Sequence, residues 1–371
     1  MADGLYIGIM SGTSVDSVDA ALVHIIGDQC QYLSSASVAY TRATREFLLS
    51  LNTDPSIQLS NYIRLDHDVA CVFAETTLLL LKKTSYRAED IVAIGSHGQT
   101  IYHQPDTHPT GTIQIGDPNR IAAITGIDVV ADFRRADMAR GGQGAPLVPA
   151  FHHYALSASD GTPRVILNLG GIANISVLDN TVNGFDTGPA NTLLDAWCEL
   201  SIGKPFDEGG QWAREGTVKR TLLDKMLSDN FFARLPPKST GKDHFNLSWL
   251  KQYCVTDHPP QDIQATLVEL SAVTIAQAID QHAGHINEVF ACGGGVRNHY
   301  LMERLALLLT PKVFGLTSDL GVDCEACEAM AFAWLASRFK ATLPGNLPKV
   351  TGAAGQAVLG GLYPGRTSGP Q

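Results

Sequence analysis

Two stretches far apart in the chain follow one plan. "LYIGIMSGTSVDSVDAALVHI" and "RVILNLGGIANISVL" each run from an apolar segment through a polar, glycine-containing turn into a second apolar segment. In the first copy, Asp19, Ala21, Val23 and Ile25 share one face of the second strand, and Val18, Ala20, Leu22 and His24 share the other. Both faces are mainly apolar, so the strand is expected to be covered on both sides. One such unit stands in each half of the chain, a duplication of architecture rather than of residue identity.

Around these units strands alternate with helices. Residues 61–83 carry a helical stripe, "DIVAIGSHGQT" and "TIQIG" are strands, and "DPNRIAAITG" is a helix capped by Asp117, with Pro118 at its first position and Gly126 at its end. "IDVVADF" is a strand that leads into a glycine-rich polar loop, "RRADMARGGQGAP". "LVPAFHHYALSA" is helical, and "VNGFDTGPANTLLDAW" passes from strand to helix with Pro189 near the first turn. Residues 206–261 are expected to form an irregular lobe, and the tail beyond 342 to be irregular as well. "ATLVELSAVTIAQAIDQHA" and "CEACEAMAFAWLASRF" are helices, and "EVFACGGGVRNHYLMERLALLL" is strand, turn and helix. This order predicts an α/β fold with mixed sheets.

A length of 371 residues suits two domains, and 44% hydrophobic against 17% charged residues allows sizeable cores. A net charge of -10 repels phosphate backbones, so nucleic acid is not an expected partner. No basic segment leads into a signal-like stretch, and no apolar run reaches the roughly 20 residues of a membrane helix. A soluble, cytoplasmic protein with no membrane partner is expected, and seven scattered cysteines fit reduced thiols. Cys324 and Cys327 form a C-x-x-C without a second pair, which is expected to be two packed cysteines on one helix.

Several turns carry groups suited to chemistry. In "SGTSVDSVD" the small residues let the main chain approach phosphoryl oxygens, and Asp16 or Asp19 could hold magnesium. A hairpin turn whose aspartates cap local amides explains the same residues equally well. No G-x-x-x-x-G-K-[ST] occurs. In "NLGGIANIS", Gly170 and Gly171 permit a tight turn between Asn168 and Asn174, and taken alone an ordinary hairpin suffices. Gly293, Gly294 and Gly295 follow a buried strand and precede a helix, which suits a nucleotide; being consecutive and late, they disfavour a dinucleotide fingerprint. Asp186 lies between a strand end and a helix start, placed either to accept a proton or to cap the helix. His97 and Gln99 in "GSHGQT", with Arg134 and Arg135 in "DFRRAD", suit sugar hydroxyls and a carboxylate. His97, His103 and His108 lack a metal-binding spacing. Glu328 opens an apolar helix, where a carboxylate complements the helix dipole or, facing a cleft, bonds a substrate.

Together these motifs resemble the 1,6-anhydro-N-acetylmuramic acid kinases of bacteria. The resemblance runs from residue 7 to about residue 336 through "GIMSGTSVDSVDAALV", "SHGQTIYH", "QIGDPNRIA", "ADFRRADMARGGQGAPLVPAFH", "NLGGIANIS", "GFDTGPANTLLD", "CGGGVRN" and "EAMAFAWLA". Ser17 stands where that family usually has glycine, and the turn is expected to survive unless the position needs φ > 0.

The resemblance implies two actin- and hexokinase-like α/β domains around a central cleft: residues 1–145 with about 337–371, and residues 146–336. It implies ATP binding by Gly12, Thr13, Ser14, Val15, Asp16, Ser17, Val18 and Asp19, by Gly170 and Gly171, and by Gly293, Gly294, Gly295 and Asn298. Magnesium would lie at Asp16 and Asp19. Asp186 would be the catalytic base, and His97, Gln99, Arg134 and Glu328 would bind the sugar. The implied reaction opens the anhydro bridge with water and phosphorylates the freed 6-oxygen, in recycling of cell-wall sugars. A simple hexose or amino-sugar kinase, or an ATP-driven chaperone or filament protein of the same superfamily, is the alternative. The partners are a small sugar and ATP, with a homodimer left open.

Overall fold

The first polar turn joins β1 (Gly4–Met10) to β2 (Ser17–Ile26) in antiparallel register, with Met10 opposite Asp19. These features belong to a computed structural model that describes residues 2–365 except 13, 14, 28, 52, 53, 106, 237, 243 and 254. The chain then forms β3 (Gln29–Ala39), α1 (Arg42–Ser50), α2 (Leu59–Lys82), β4 (Ile91–Ser96) and a hairpin of β5 (Gln99–Gln104) and β6 (Gly111–Ile115). α3 (Pro118–Thr125) keeps its expected ends: the Asp117 carboxylate accepts the Asn119 N–H at 2.9 Å, and Gly126 closes the helix at φ 70°. β7 (Val129–Ala131), α4 (Phe133–Met138) and α5 (Val148–Leu156) follow.

The second polar turn joins β8 (Arg164–Leu169) to β9 (Ile172–Leu178), again antiparallel, and β10 (Asn183–Pro189) follows. Then come α6 (Asn191–Ile202), four short helices α7 (Gln211–Arg214), α8 (Arg220–Leu227), α9 (Asn230–Ala233) and α10 (Leu247–Lys251), and the long α11 (Pro260–Ala283). β11 (Glu288–Cys292), α12 (His299–Leu308), β12 (Val313–Leu316), α13 (Cys327–Lys340), α14 (Pro348–Thr351) and β13 (Gly361–Tyr363) complete the order.

The first sheet runs β13-β7-β4-β1-β2-β3 and the second β10-β9-β8-β11-β12. In each, three antiparallel strands lie on one side and two strands parallel to the first lie on the other, and in the first sheet β13 adds an antiparallel edge beside β7. The duplication expected from the two glycine turns therefore extends to whole sheets, which are mixed as expected. No helix among the described residues is long and apolar enough to cross a membrane.

The chain divides into two units, Met1–Leu156 with Gly321–Gln371, and Ser157–Leu320. The expected division put residues 146–156 and 321–336 with the second domain. α13 joins the first unit because it packs on β1, β2 and β4. Its body is buried from Ala329 to Ser337, and each large side chain such as Phe332 or Leu335 contributes about 1.5–3 kcal/mol by leaving water. Gly8 and Gly95 are partners across β1 and β4, and a Cβ on either would run into the α13 backbone, at the carbonyls of Ala329 and Phe332. The helix backbone thus lies directly on two glycines.

Five local expectations change, beginning with the tail beyond 342, which holds α14 and β13. β3 escapes a reading of the sequence, because its serines and glutamines mask a strand that pairs antiparallel along β2. The expected loop after β7 contains α4. Residues 206–261 hold short helices around an aromatic cluster of Phe231, Phe232, Phe245 and Trp249. Cys324 precedes α13 instead of sharing it with Cys327.

Candidate active site

In the first unit, the β1–β2 turn includes Val15 at φ 57°, with its N–H donating to the Gly12 carbonyl at 3.2 Å. A buried β-branched residue in this region is backbone strain of the sort that gathers at functional turns. Thr13 and Ser14 lie outside the described residues. Ser17 is the first residue of β2 and has no positive φ, so glycine is not needed there. Val18 points into the core. The Ser17 hydroxyl donates to both Asp19 oxygens, at 3.2 and 3.3 Å. Asp16 faces outward, and its Oδ1 accepts from Arg45 Nε at 3.2 Å and Nη2 at 2.9 Å. Magnesium needs hard oxygen donors and keeps part of its water shell. Asp19, half-buried beside the Ser17 hydroxyl, and Asp16, exposed with Oδ1 on a guanidinium, both offer such oxygens.

His97 follows β4, and its Nε2 accepts from Arg134 Nε at 3.0 Å and Nη2 at 2.8 Å. Burial, reinforced by the Arg134 charge, holds the imidazole well below its ordinary range, so the ring is neutral with its proton on Nδ1. Nδ1 is buried without a partner, and Phe332 lies 4.6 Å away. Arg134 Nη1 donates to the Gly144 carbonyl at 2.8 Å. Burial lowers this guanidinium to about 10 against the opposing charges of Glu328 and Asp137. Glu328, in the first turn of α13, therefore shares a site with Arg134 and bears on its charge. Asp137, fully buried, accepts from Gly144 N–H at 2.9 Å, Asn346 Nδ2 at 2.7 Å and Thr351 Oγ1 at 2.8 Å. Gln99 does not join this cluster: its Nε2 donates to the carbonyls of Gly12 at 3.4 Å and Thr100 at 3.2 Å, bracing the first turn. Arg135 pairs with Asp132 at the surface.

In the second unit, Gly170 and Gly171 offer their carbonyls to the start of α6, with Asn191 N–H at 3.2 Å and Ala190 N–H at 3.0 Å. Gly293, at φ 88°, comes so near Asn168 and the Leu169 carbonyl that no side chain fits. Gly295 packs on Leu169, and Gly294 has open space around it. The second glycine turn and the triple glycine thus meet at the ends of neighbouring strands β8 and β11. Asn298 Oδ1 caps α12 through the Leu301 N–H at 3.0 Å. Gly209 and Gly210, both at positive φ, bring another turn against His299 and Asn298. The adjacent glycines of "DEGG" are the signal for this turn, which no expectation above includes.

Asp186 is within β10, paired with Asn174, beside a bulge that displaces the register before Gly188. It does not cap α6, whose N-cap is Ala190. Its Oδ2 accepts from Ser239 Oγ and from Thr240 N–H, each at 2.9 Å. Burial raises its carboxyl above the ordinary range, while Thr240, Ser239 and the Lys238 charge oppose the rise. A carboxylate held in this way can act as a proton acceptor.

A profile of the anhydro-N-acetylmuramic acid kinase family matches residues 4–365. A protein named anhydro-N-acetylmuramic acid kinase from Vibrio parahaemolyticus serotype O3:K6 (strain RIMD 2210633) is 49% identical over 363 residues, spanning 97% of this chain and 98% of the relative. Among solved structures, component A of the (R)-2-hydroxyglutaryl-CoA dehydratase of Acidaminococcus fermentans aligns over 89% of this chain and 99% of its own, at 11% identity and TM-score 0.47. A ROK family glucokinase from Streptomyces griseus, in complex with glucose and AMPPNP, aligns over 90% of this chain and 100% of its own, at 12% identity and TM-score 0.40. With the profile covering nearly its whole length and this relative matching end to end, the chain belongs to the anhydro-N-acetylmuramic acid kinase family.

Proposed function

We propose that this protein opens the 1,6-anhydro bridge of 1,6-anhydro-N-acetylmuramic acid with water and transfers the γ-phosphoryl group of ATP to the freed 6-oxygen, giving N-acetylmuramic acid 6-phosphate for reuse of cell-wall sugars. The 49% identical relative bears the name of that kinase. The observation that carries the reading is Asp186, a carboxylate with one oxygen pinned by two donors and an affinity for protons raised by burial. Neutral water is a poor nucleophile, and a carboxylate in reach takes its proton as attack proceeds.

Arg134, oriented by a neutral His97, and Glu328 bind the sugar; Gln99 acts through the first turn. Gly12 and the residues to Asp19 serve the ATP phosphates, as do Gly170 and Gly171, and Gly293–Gly295 with Asn298 serve the adenosine. Magnesium, brought with ATP, supplies charge compensation, and Asp19 is the residue to hold it, with Asp16 secondary.

Incubation with Mg·ATP and the anhydro sugar in ¹⁸O-labelled water should give a 6-phosphorylated product with one label at its anomeric hydroxyl, read before ring-opening exchange. Asp186→Asn should bind both ligands yet lose on the order of 10²–10⁴ in rate. Unlabelled product would identify a simple sugar kinase, and near-normal turnover of the variant would remove the base from the mechanism.

A further inference from the structure

The segment 238–240 belongs to the stretch expected to be an irregular lobe, yet it lines the outer edge of β10 at Asp186. Asp186 N–H donates to the Lys238 carbonyl at 3.1 Å, while Ser239 Oγ and Thr240 N–H converge on Asp186 Oδ2. Oδ1 receives no hydrogen bond among the described residues. The segment is anchored on both sides. Lys238 Nζ donates to the carbonyls of Phe231 at 3.4 Å and Phe232 at 3.3 Å, and lies 4.8 Å above the Phe231 ring. Thr240 Oγ1 is 3.4 Å from His244 Nδ1, and His244 Nε2 is 3.2 Å from Asp229 Oδ2, which also accepts Trp249 Nε1 at 2.8 Å. His244 is stacked on Phe245 with ring centres 4.2 Å apart.

We propose that Ser239 is a positioning residue of the reaction: with the Thr240 N–H it fixes Asp186 Oδ2, so that Oδ1 is the atom that takes the proton from the attacking water. This rests on Asp186 being the base. The terminal torsion of an aspartate is broad, so two donors on one oxygen are what select its orientation. The water proton moves to Oδ1 while the water oxygen bonds the anomeric carbon. The bond from that carbon to O6 breaks with its electron pair on O6, which then takes the γ-phosphoryl group as ADP leaves. Oδ2 stays an acceptor of two hydrogen bonds throughout. Besides its hydrogen-bond donors, the charged group bearing on Asp186 is Lys238 of the same segment. From α11, His282 packs on the neighbouring Phe185 ring at 5.0 Å. Both remain when Ser239 is altered.

The test is the pH profile of kcat/KM for the anhydro sugar with Mg·ATP, in wild type, Ser239→Ala, Ser239→Thr and Asp186→Asn. A hydroxyl donor favours the charged carboxylate, so its loss should move the acid limb of Ser239→Ala upward by roughly one pH unit. The variant should therefore be about tenfold slower than wild type below the limb and should approach it above. Ser239→Thr should restore the limb, and ATP affinity should be equal in all four proteins. An unmoved limb in Ser239→Ala would overturn the positioning role. If Asp186→Asn itself stays active, the reading beneath it fails; if Asp186→Asn is inactive and the Ser239→Ala limb is unmoved, only the role of Ser239 fails.

Discussion

Apart from β13, the two sheets share a strand order but use glycine for opposite purposes. In the first unit, Gly8 and Gly95 sit within paired strands and let the α13 backbone rest on the sheet. In the second, β8 and β11 carry Val165, Leu167, Val289 and Ala291 in a side-chain core, and the glycines gather in turns at the strand ends. Close packing occupies the space at Gly8 and Gly95, whereas the space around Gly294 is open. A shared strand order therefore does not assign identical roles to small residues; what approaches them does.

The largest expected effect breaks this contrast directly. Gly95→Ala would place a Cβ against the Phe332 carbonyl and should cost about 3 kcal/mol or more, the upper range of overpacking. Gly294→Ala should change stability by less than about 0.5 kcal/mol, since it meets nothing. Urea midpoints compare the two, and equal shifts would defeat the distinction.

A smaller effect sharpens the contrast at the first turn, which has carboxylates where the second has amides. Asp19→Asn should raise the magnesium concentration for half-maximal activity about tenfold, as for about 1.4 kcal/mol of lost interaction. Asp16→Asn should raise it less than about threefold, because Arg45 already engages that side chain. The reverse order would move the metal to Asp16.

An effect of comparable size concerns acid stability of the first unit. His97 has a folded affinity for protons far below the unfolded value, so the unfolded chain binds the extra proton as pH falls through about 6.5. Stability from this group is thus present above that pH and is lost below it, at up to about 1.4 kcal/mol per pH unit. His97→Gln should flatten the slope of stability between about pH 6.5 and 5. An identical slope in both proteins would show that another group carries it.

What is legible in the sequence is written in periodicity and caps. β1, β2 and α3 are readable because apolar alternation, Asp117, Pro118 and Gly126 act through neighbours in the chain. β3 is not, since its partner β2 supplies the pairing that its serines conceal. At the site, the pairing of His97 with Arg134 is half visible: the residues stand out, but not that one holds the other. The commitment of Gln99 to Gly12 and of Ser239 to Asp186 spans 87 and 53 residues, distances over which no local pattern reports.

The return of the chain to its first sheet sets an order of completion during synthesis. Residues 157–320 form a continuous unit and can fold once they have emerged. The first unit cannot. Its strands β1, β2 and β4 wait for α13 to cover them, β7 waits for β13, and Asp137 waits for Asn346 and Thr351. The part made first is therefore the part finished last, and its apolar face stays uncovered until the C-terminal segment has emerged.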